Sequence, residues 1–470
     1  MYQFLERVRQ SLQIKAPLDH GFVPMSQFIK MFEESAKKEE YLPVGISIER
    51  AGGLITRFST VCFGDESKYG DLNIFYIERI VKSVIWAYGG FKLTIGAPAY
   101  IGRAVKDQYA AGGKRQFDFD FMGTIYERPF SIEATSIENV PFSVASSAPA
   151  GRHLDGCRLG FDAGGSDIKV SAVIDGKPIF SKEISWLPKI QTNPQYHLKY
   201  IVEAMKLGAS YLPRVDAVGI SSAGVYINNR AMVASLFMKV PKEVFDTEVK
   251  DIYVKAVKSL GGNIPMTVAN DGDVTALAGA MELGDTNVLG IAMGTSEAAG
   301  FVDANGIITG YLNELAFVPC DLNPDAAVDE WSGDSGCGVG YFSQDAVAKL
   351  APEAGIRFTE GMTPAEKLER VQSLMGKDGS AEGIFQTIGV YLGYGIAFYS
   401  RLYDIKHVLI LGRVTSGAGG GIILEHANRV LGVEFPELGI KIHLPDESSR
   451  RVGQSVAAAS LPKIEKRSSS

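Results

Sequence analysis

Cysteine is scarce in this sequence and is never paired at short spacing. Four cysteines occur among the 470 residues, far apart at Cys62, Cys157, Cys320 and Cys337. This spacing includes no CxxC pair and excludes a disulfide framework of the kind that holds small secreted proteins together. We expect reduced thiols, as in a cytoplasmic protein.

Long apolar runs and an excess of positive charge are missing as well. No apolar segment approaches the length of a membrane span, and the charged, amphipathic start of the chain lacks the apolar centre of a signal peptide. The formal net charge is −7, which gives no general attraction to nucleic acid or to an anionic membrane. We therefore expect a cytoplasmic protein that binds small molecules, with no nucleic-acid or membrane partner.

Glycine, in contrast, is frequent, and its 52 residues cluster at turns and at the ends of strand-like segments. Because glycine has no Cβ atom, such turns allow the backbone to approach a phosphate closely. The chain is also long enough for two or three domains. We predict a helical arm over residues 1–43 and an N-terminal α/β domain over 44–150. Two α/β lobes follow over 157–280 and 281–446, and a helix at about 447–461 completes the first lobe. We expect a disordered tail over 462–470.

The predicted N-terminal domain has the same order of elements as the segment that begins at Cys157: strand, glycine turn, strand, helix, strand. This order predicts that residues 44 to about 110 are a degenerate copy of the first lobe that has lost its phosphate loop. A chance similarity between two α/β modules is the alternative. The aromatic segment that follows, 115–135, is strand-like.

The segment DAGGSDIK, Asp162 to Lys169, indicates a Gly-Gly turn between two strands. Gly164 and Gly165 allow backbone N–H groups to close on phosphate oxygens, and Ser166 lies at the same turn. Asp162 could hold a magnesium ion through water, and Lys169 could neutralise charge. A simple hairpin is the competing interpretation.

The segment VANDGDVTALAGA, 268–280, places polar side chains where a buried strand meets a helix. Asn270 and Asp271 therefore fall near the carboxyl end of a strand, where α/β proteins bind ligands. Asn and Asp are also preferred N-cap residues, so helix capping competes with a functional role. Asp273, in the first helical turn, is interpreted as compensation of the helix dipole.

Two later turns are of a similar type. Gly294, Thr295 and Ser296 form one in MGTSEAAG, and Gly419 and Gly420 belong to SGAGGG before a predicted helix. Ser221 and Ser222, at the end of the strand before AGVY, are candidate ligand contacts, although serines at a strand end are more often turn formers.

In this order, the motifs resemble the actin, Hsp70 and sugar-kinase superfamily, and most closely the ROK (repressor, open reading frame, kinase) family of sugar kinases. The matching segments are GFDAGGSDIK, NDGDVTALAG, GTSEAAGFVDANGIITG and LILGRVTSGAGGG. The resemblance covers about residues 158–461 and implies an α/β fold of two lobes, the actin-like ATPase or ribonuclease H-like fold with mixed sheets, plus an extra N-terminal domain. It implies transfer of a phosphoryl group from ATP, with Mg²⁺, to a sugar hydroxyl, and it allows for a homodimer.

The resemblance also implies roles for individual residues. Asp271 falls on the family's catalytic base and Asn270 on a sugar-binding position, while Glu314 keeps a sugar-binding glutamate. The resemblance implies that the two phosphate turns and the late glycine turn bind the nucleotide. Asp162 would hold magnesium through water, and Gly164 and Gly165 would lie on the γ-phosphate side. Gly294, Thr295 and Ser296 would lie on the β-phosphate side, and Gly419 and Gly420 would lie beside the adenosine.

Departures from the family pattern lie between the second phosphate turn and the late glycine turn. Phe317 stands where the family has a histidine, and Gly338 to Gly340 stand where a second sugar-binding glutamate is expected. With only Cys320 and Cys337 in this region, a structural zinc site lacks ligands, so no zinc is expected. A sensor of sugar or nucleotide without catalytic activity is the alternative function. In the replacement loop, Trp331 beside carboxylates suits sugar stacking, with a surface Trp as the alternative.

Overall fold

The chain forms two compact units in the computed structural model, which describes residues 1–145, 150–377, 379–445 and 447–464. Unit 1 comprises Met1–Ala145, Ile291–Ala299 and Tyr311–Leu444, and unit 2 comprises Ser146–Gly290, Gly300–Gly310 and Pro445–Ser470. The predicted boundaries separate residues 44–150 from 281–446, whereas the compact units group residues 1–145 with 311–444. Most of the predicted tail, 465–470, lies outside the described residues.

The N-terminal part of unit 1 is a four-stranded sheet with helices. Its elements are α1 (Tyr2–Ser11), α2 (Met25–Lys37), β1 (Tyr41–Glu49), β2 (Ile55–Phe63), α3 (Glu66–Tyr88), β3 (Lys92–Gly96), α4 (Ala99–Gln108), α5 (Gln116–Ile125) and β4 (Ser131–Thr135). The strand order is β2-β1-β3-β4. The predicted hairpin around Ala51–Gly53 is confirmed, since β1 and β2 pair antiparallel across a short 3₁₀ turn.

Unit 2 is built on a five-stranded mixed sheet. Its elements are β5 (Cys157–Ala163), β6 (Asp167–Ile174), β7 (Lys177–Ser185), α6 (Pro194–Ala209), β8 (Ala217–Ser222), β9 (Val225–Ile227), β10 (Arg230–Val233), α7 (Lys242–Val244), α8 (Ile252–Lys258), β11 (Met266–Asn270) and α9 (Asp271–Leu283). The order is β11-β8-β5-β6-β7. Strands β5, β6 and β7 are antiparallel neighbours, and β8 and β11 continue the sheet parallel to β5. This is the ribonuclease H-like arrangement that the motifs imply.

The predicted duplication is wrong, because the strand directions of the two sheets differ. In unit 2, three antiparallel strands precede α6, so the strand after the helix, β8, returns parallel to β5. In unit 1 only β1 and β2 precede α3, and the strand after that helix, β3, runs antiparallel to β1. Because unit 1 lacks the third antiparallel strand, the strand after its helix runs in the opposite direction relative to the first strand of its sheet. The N-terminal sheet is therefore not a degenerate copy.

The strand-like interpretation of residues 115–135 is wrong over its first half, where α5 forms. The FDFDF alternation places Asp118 on the buried face, and this carboxylate accepts hydrogen bonds from Lys82 and Trp86 of α3. The contacts of the buried Asp118 thus favour a helix where the alternating pattern predicted a strand. Within residues 115–135, the strand is β4 alone.

The remaining elements complete both units: β12 (Val288–Met293), β13 (Glu297–Val302), α10 (Gln344–Leu350), α11 (Pro364–Gln372), α12 (Ser380–Tyr399), β14 (His407–Leu411), α13 (Ala418–Glu434), β15 (Lys441–His443) and α14 (Glu447–Ala459). Strands β13-β12-β14-β15 form a sheet in that order. Helix α14 packs on β5 and β8, where a Cβ atom on Gly160 or Gly219 would come within 2 Å of the carbonyl oxygens of Ser455 and Ala458. None of the described helices combines the length and the apolar character needed to cross a membrane.

A buried cluster of six charged side chains, called here the ion cluster, joins α3 and α5 to the segment 318–337 within unit 1. Its members are at most 6% exposed and comprise Glu78, Arg79, Lys82, Arg115, Asp118 and Asp334. Asp334 is the centre, with Arg79 Nη1 at 2.8 Å, Arg115 Nη1 at 2.7 Å and Lys82 Nζ at 3.4 Å from its oxygens. Burial acts to raise the pKa of Asp334, but Arg79 and Lys82 outweigh it and hold the pKa below its usual value.

We predict that Asp334→Asn lowers the free energy of unfolding by about 3–5 kcal/mol, because it leaves three buried cations with two buried anions. Urea unfolding at pH 7, followed by tryptophan fluorescence, measures the change. The control is Asp325→Asn, an exposed aspartate of the same segment, for which we expect a change within about 0.5 kcal/mol. A loss below about 1 kcal/mol for Asp334→Asn would show that the ion cluster does not stabilise unit 1.

Candidate active site

Three parallel strands of unit 2 end together at one edge of the sheet. Asp162 of β5 is paired in register with Ser221 of β8, and Ser222 of β8 with Asn270 of β11. Since neighbouring strands lie about 4.8 Å apart, the register brings Asp162 and Asp271, the residue after β11, to the same sheet edge. The structure therefore brings together two of the acidic residues that the sequence motifs single out.

Asp162 is a buried carboxylate with weak charge compensation. It is 5% exposed, accepts a 2.7 Å hydrogen bond from Ser221 Oγ, and lies 3.9 Å from Lys169 Nζ. Burial raises the pKa of Asp162 to about 6 despite the Ser221 bond and Lys169, and the nearby Asp271 adds to this rise. A cation beside Asp162 would offset the cost of its charge, which suits a magnesium site.

The Gly-Gly turn joins β5 to β6, as predicted. Gly164 N–H donates to Asp167 O at 2.9 Å, and a Cβ atom on Gly164 would lie only 2.9 Å from that oxygen. Trp186 also holds the turn, since its Nε1 donates to Gly164 O and its backbone N–H donates to Ser166 O. Lys169 Nζ lies 3.3 Å from Asp167, so the charge of Lys169 is already paired.

Asn270 is the N-cap of α9, so the capping interpretation is confirmed for this residue. Its Oδ1 accepts from Gly272 N–H at 2.7 Å, and its Nδ2 donates to Gly224 O at 2.8 Å. Gly224 has a φ of 136°, a conformation that favours glycine. Both ends of the amide are therefore used within unit 2, and the sugar-binding role of Asn270 stays a prediction.

Asp271 begins α9 with a partly exposed side chain. Its carboxylate accepts a 3.0 Å hydrogen bond from Gly272 N–H. Burial by the surrounding protein raises the pKa of Asp271, and this effect outweighs the backbone hydrogen bonds that act to lower it. A carboxylate with a raised pKa and access to solvent is a better proton acceptor than an ordinary aspartate.

Ser222 is fully buried, and Tyr226 and Tyr253 donate hydrogen bonds to its hydroxyl at 2.7 and 2.8 Å. These contacts favour a structural role, in which the Ser222 hydroxyl holds the side chains of Tyr226 and Tyr253 in place. Its neighbour Ser221 is the serine that reaches Asp162. The sequence gives no signal that separates the two serines, because only the strand register shows which one faces Asp162.

Asp273 lies in the first turn of α9, as predicted for compensation of the helix dipole, and it also has a structural contact. It is 5% exposed, and its Oδ1 accepts from Phe301 N–H at 3.2 Å. The adjacent Gly300 lies so close to α9 that a Cβ atom would meet backbone atoms of Gly272 at 2.2 Å. Asp273 therefore fixes the end of β13 against the start of α9.

The second phosphate turn belongs to unit 1 and is tightly held there. Gly294 N–H donates to Ser296 O at 3.1 Å, and Gly294 O accepts from Gln344 N–H at 2.9 Å. Thr295 lies at the tip of this turn, between β12 and β13. The hydroxyl and backbone groups of residues 294–296 stay candidates for phosphate binding.

Glu314 is held by the end of α3, since its backbone N–H donates to Trp86 O at 3.1 Å. Phe317, at the position of the family's histidine, packs against Trp86 with ring centroids 4.2 Å apart. The sequence did not single out Glu297, a buried carboxyl that accepts a hydrogen bond from Tyr399 at 3.0 Å. Burial raises the pKa of Glu297 to about 8, and Glu314 adds to the rise.

Gly419 and Gly420 lie in the first turn of α13, and packing inside unit 1 explains both. A Cβ atom on Gly419 would lie 2.7 Å from the Phe385 ring, and one on Gly420 would lie 2.1 Å from Thr415 O. Their place beside the adenosine stays a prediction. In the replacement loop, Trp331 is 78% exposed, whereas Asp334 belongs to the ion cluster.

No group of three or more His, Cys, Asp or Glu side chains that could hold a metal ion occurs among the described residues. Cys320 and Cys337 are buried thiols, and burial raises both of their pKa values. We predict no zinc in the purified protein. Elemental analysis tests this, and one zinc per chain would contradict the prediction.

The raised pKa of Asp162 also predicts a pH dependence of stability. A carboxyl whose pKa is about 6 when folded and about 4 when unfolded destabilises the folded state progressively as pH rises from about 4 to 6. The difference in the free energy of unfolding between Asp162→Asn and wild type should therefore change in favour of the variant by up to about 3 kcal/mol as pH rises from 4 to 7. Urea unfolding across this range measures the difference. Glu183→Gln, at an exposed position of β7, should show no such trend; a flat difference for Asp162→Asn would contradict the prediction.

Comparison with known proteins finds likeness among solved structures only, since no family model and no curated protein sequence matches the chain. A ROK hexokinase from Thermus thermophilus is 19% identical, with 64% of this chain and 97% of that chain covered and a TM-score of 0.48. A ROK family glucokinase from Streptomyces griseus, in complex with glucose and AMPPNP, is 20% identical, with 65% and 98% covered and a TM-score of 0.45. A ROK family transcriptional regulator, homolog of the E. coli Mlc protein, is 17% identical, with 77% and 88% covered and a TM-score of 0.48. All three likenesses are below 25% identity and have TM-scores below 0.5.

Proposed function

We propose that the chain is an ATP-dependent kinase that phosphorylates a hydroxyl of a sugar or sugar derivative. One observation supports this most strongly: at the carboxyl edge of the unit 2 sheet, Asp271 lies near Asp162, the residue that leads into the Gly-Gly turn. A base for the acceptor hydroxyl and a turn for the phosphate donor are the two components that phosphoryl transfer requires.

Asp271 acts as the base in this proposal. The acceptor hydroxyl loses its proton to the Asp271 carboxylate while its oxygen attacks the γ-phosphorus of ATP. The bond between the γ-phosphorus and the bridging oxygen breaks, and ADP leaves. The raised pKa of Asp271 favours this role, because proton transfer is most effective when the pKa of the base approaches the working pH.

Asp162 and the Gly-Gly turn are assigned to the terminal phosphate and its magnesium ion. The buried, weakly compensated Asp162 fits a water-mediated magnesium site, and the ion, when bound, neutralises charge on the phosphate oxygens. Ser221 orients Asp162 through its 2.7 Å hydrogen bond. Lys169, paired with Asp167, fixes the base of the turn.

Residues of unit 1 complete the proposal as separate assignments. The turn of Gly294, Thr295 and Ser296 is assigned to the β-phosphate side, and Glu314 to the sugar. Gly419 and Gly420, in the first turn of α13, are assigned to the nucleotide end on the resemblance of their motif alone.

A non-catalytic sensor is the second candidate function. The use of the Asn270 amide as a helix cap and the aromatic packing of Phe317 favour it, since Asn270 lies at a sugar-binding position of the family pattern and Phe317 replaces the family's histidine. Asp271, with its raised pKa and partly exposed side chain, favours the kinase.

We predict that Asp271→Asn lowers turnover about 10²–10⁴-fold, the usual contribution of a positioned base, while nucleotide affinity is retained. An ADP-release assay over sugars, amino sugars and sugar acids measures turnover, and calorimetry measures nucleotide binding. Glu282→Gln, at an exposed position on α9, is the control and should leave turnover unchanged.

Two outcomes would contradict the kinase proposal. Unchanged turnover in Asp271→Asn would exclude Asp271 as the base. Wild-type protein that binds a sugar or nucleotide but releases no ADP with any acceptor would select the sensor.

A further inference from the structure

Lys189, which no sequence motif singles out, lies directly over the Gly-Gly turn. An ideal Cβ atom on Gly165 would be 3.1 Å from Lys189 Cε and 3.2 Å from its Nζ. The lysine end thus occupies the space that a side chain at Gly165 would fill. Gly165 has no left-handed backbone conformation in this structure, so its one close neighbour here is the flexible end of Lys189, which would have to shift by a few tenths of an ångström to admit a Cβ atom.

The backbone around Lys189 is held in place by neighbouring elements of unit 2. Lys189 belongs to a short 3₁₀ segment, Pro188–Ile190. The buried His197 ring, through Nε2, lies 3.0 Å from Pro188 O and 3.1 Å from Leu236 O. Trp186, three residues before Lys189, is bonded to both Gly164 and Ser166. The same frame therefore fixes the turn and the segment that bears the lysine.

The polar groups at this place lack partners within the described part of the chain. The ammonium of Lys189 forms no hydrogen bond or ion pair there, and the backbone N–H groups of Gly165 and Ser166 donate to no acceptor there. Lys169, by contrast, is paired with Asp167 and Asp162. Two free N–H donors beside an uncompensated cation form the chemistry of an anion site.

We propose that Lys189, together with the N–H groups of Gly165 and Ser166, binds the terminal phosphate of a nucleoside triphosphate. This inference rests on the proposed function and adds a residue to it. An ammonium bonded to a phosphate oxygen forms a charge-assisted hydrogen bond, which is roughly twice as strong as a neutral one. Its effect should be confined to the terminal phosphate, because the proposed function assigns the Gly-Gly turn to that phosphate.

The test is Lys189→Met in the full chain, with calorimetric titration of a non-hydrolysable ATP analogue and of ADP, each with Mg²⁺. We expect the affinity for the ATP analogue to fall about 10-fold, consistent with loss of one charge-assisted hydrogen bond, and the affinity for ADP to change less than about 2-fold. Lys189→Arg should retain most of the affinity for the ATP analogue. Gly165→Ala, which displaces the lysine end, should weaken the ATP analogue in the same selective way.

The matched control is Lys182→Met, which removes another exposed lysine of unit 2 and should leave both affinities unchanged. If Lys189→Met binds both nucleotides as wild type does, or loses both equally, the role of Lys189 is overturned while the proposed function stands. Wild-type protein that binds neither nucleotide would overturn the proposed function, and the role of Lys189 with it.

Discussion

The ion cluster around Asp334 is the interaction on which the organisation of unit 1 depends. Each buried charge loses its hydration, and this loss is tolerable only if opposite charges replace the water. Arg79 and Lys82 of α3 and Arg115 before α5 provide that replacement for an aspartate more than 200 positions away in the chain. The N-terminal part is therefore integral to the unit, and Trp86 of the same helix bonds the backbone of Glu314 and packs on Phe317.

The two buried aspartates Asp334 and Asp162 show opposite electrostatic behaviour. Three cations surround Asp334, and although burial acts to raise its pKa, Arg79 and Lys82 hold the pKa below the usual value. Asp162 has one hydroxyl donor and a lysine at 3.9 Å, and its pKa rises to about 6. The first arrangement stabilises the fold. The second leaves charge uncompensated at a sheet edge, as expected of a site that is completed by a ligand.

Glycines in similar motifs have different physical reasons. Gly419 and Gly420 are explained by packing against Phe385 and Thr415, although their motif resembles a nucleotide turn. A Cβ atom on Gly165 would meet the end of Lys189, a charged group with no partner in the described chain. A glycine next to an uncompensated cation is better evidence for an anion site than a glycine-rich motif alone.

The sequence by itself determined the α/β class, the hairpin at Ala51–Gly53, the Gly-Gly turn after Asp162 and the strand-to-helix junction at Asn270 and Asp271. These features depend on local pattern, which neighbouring residues decide. Tertiary structure alone decided the direction of β3, the helix α5, the separate roles of Ser221 and Ser222, and the place of Lys189 over Gly165. Each of these depends on which distant segment lies alongside, because strand pairing and the compensation of buried charge are set by contacts between residues far apart in the chain.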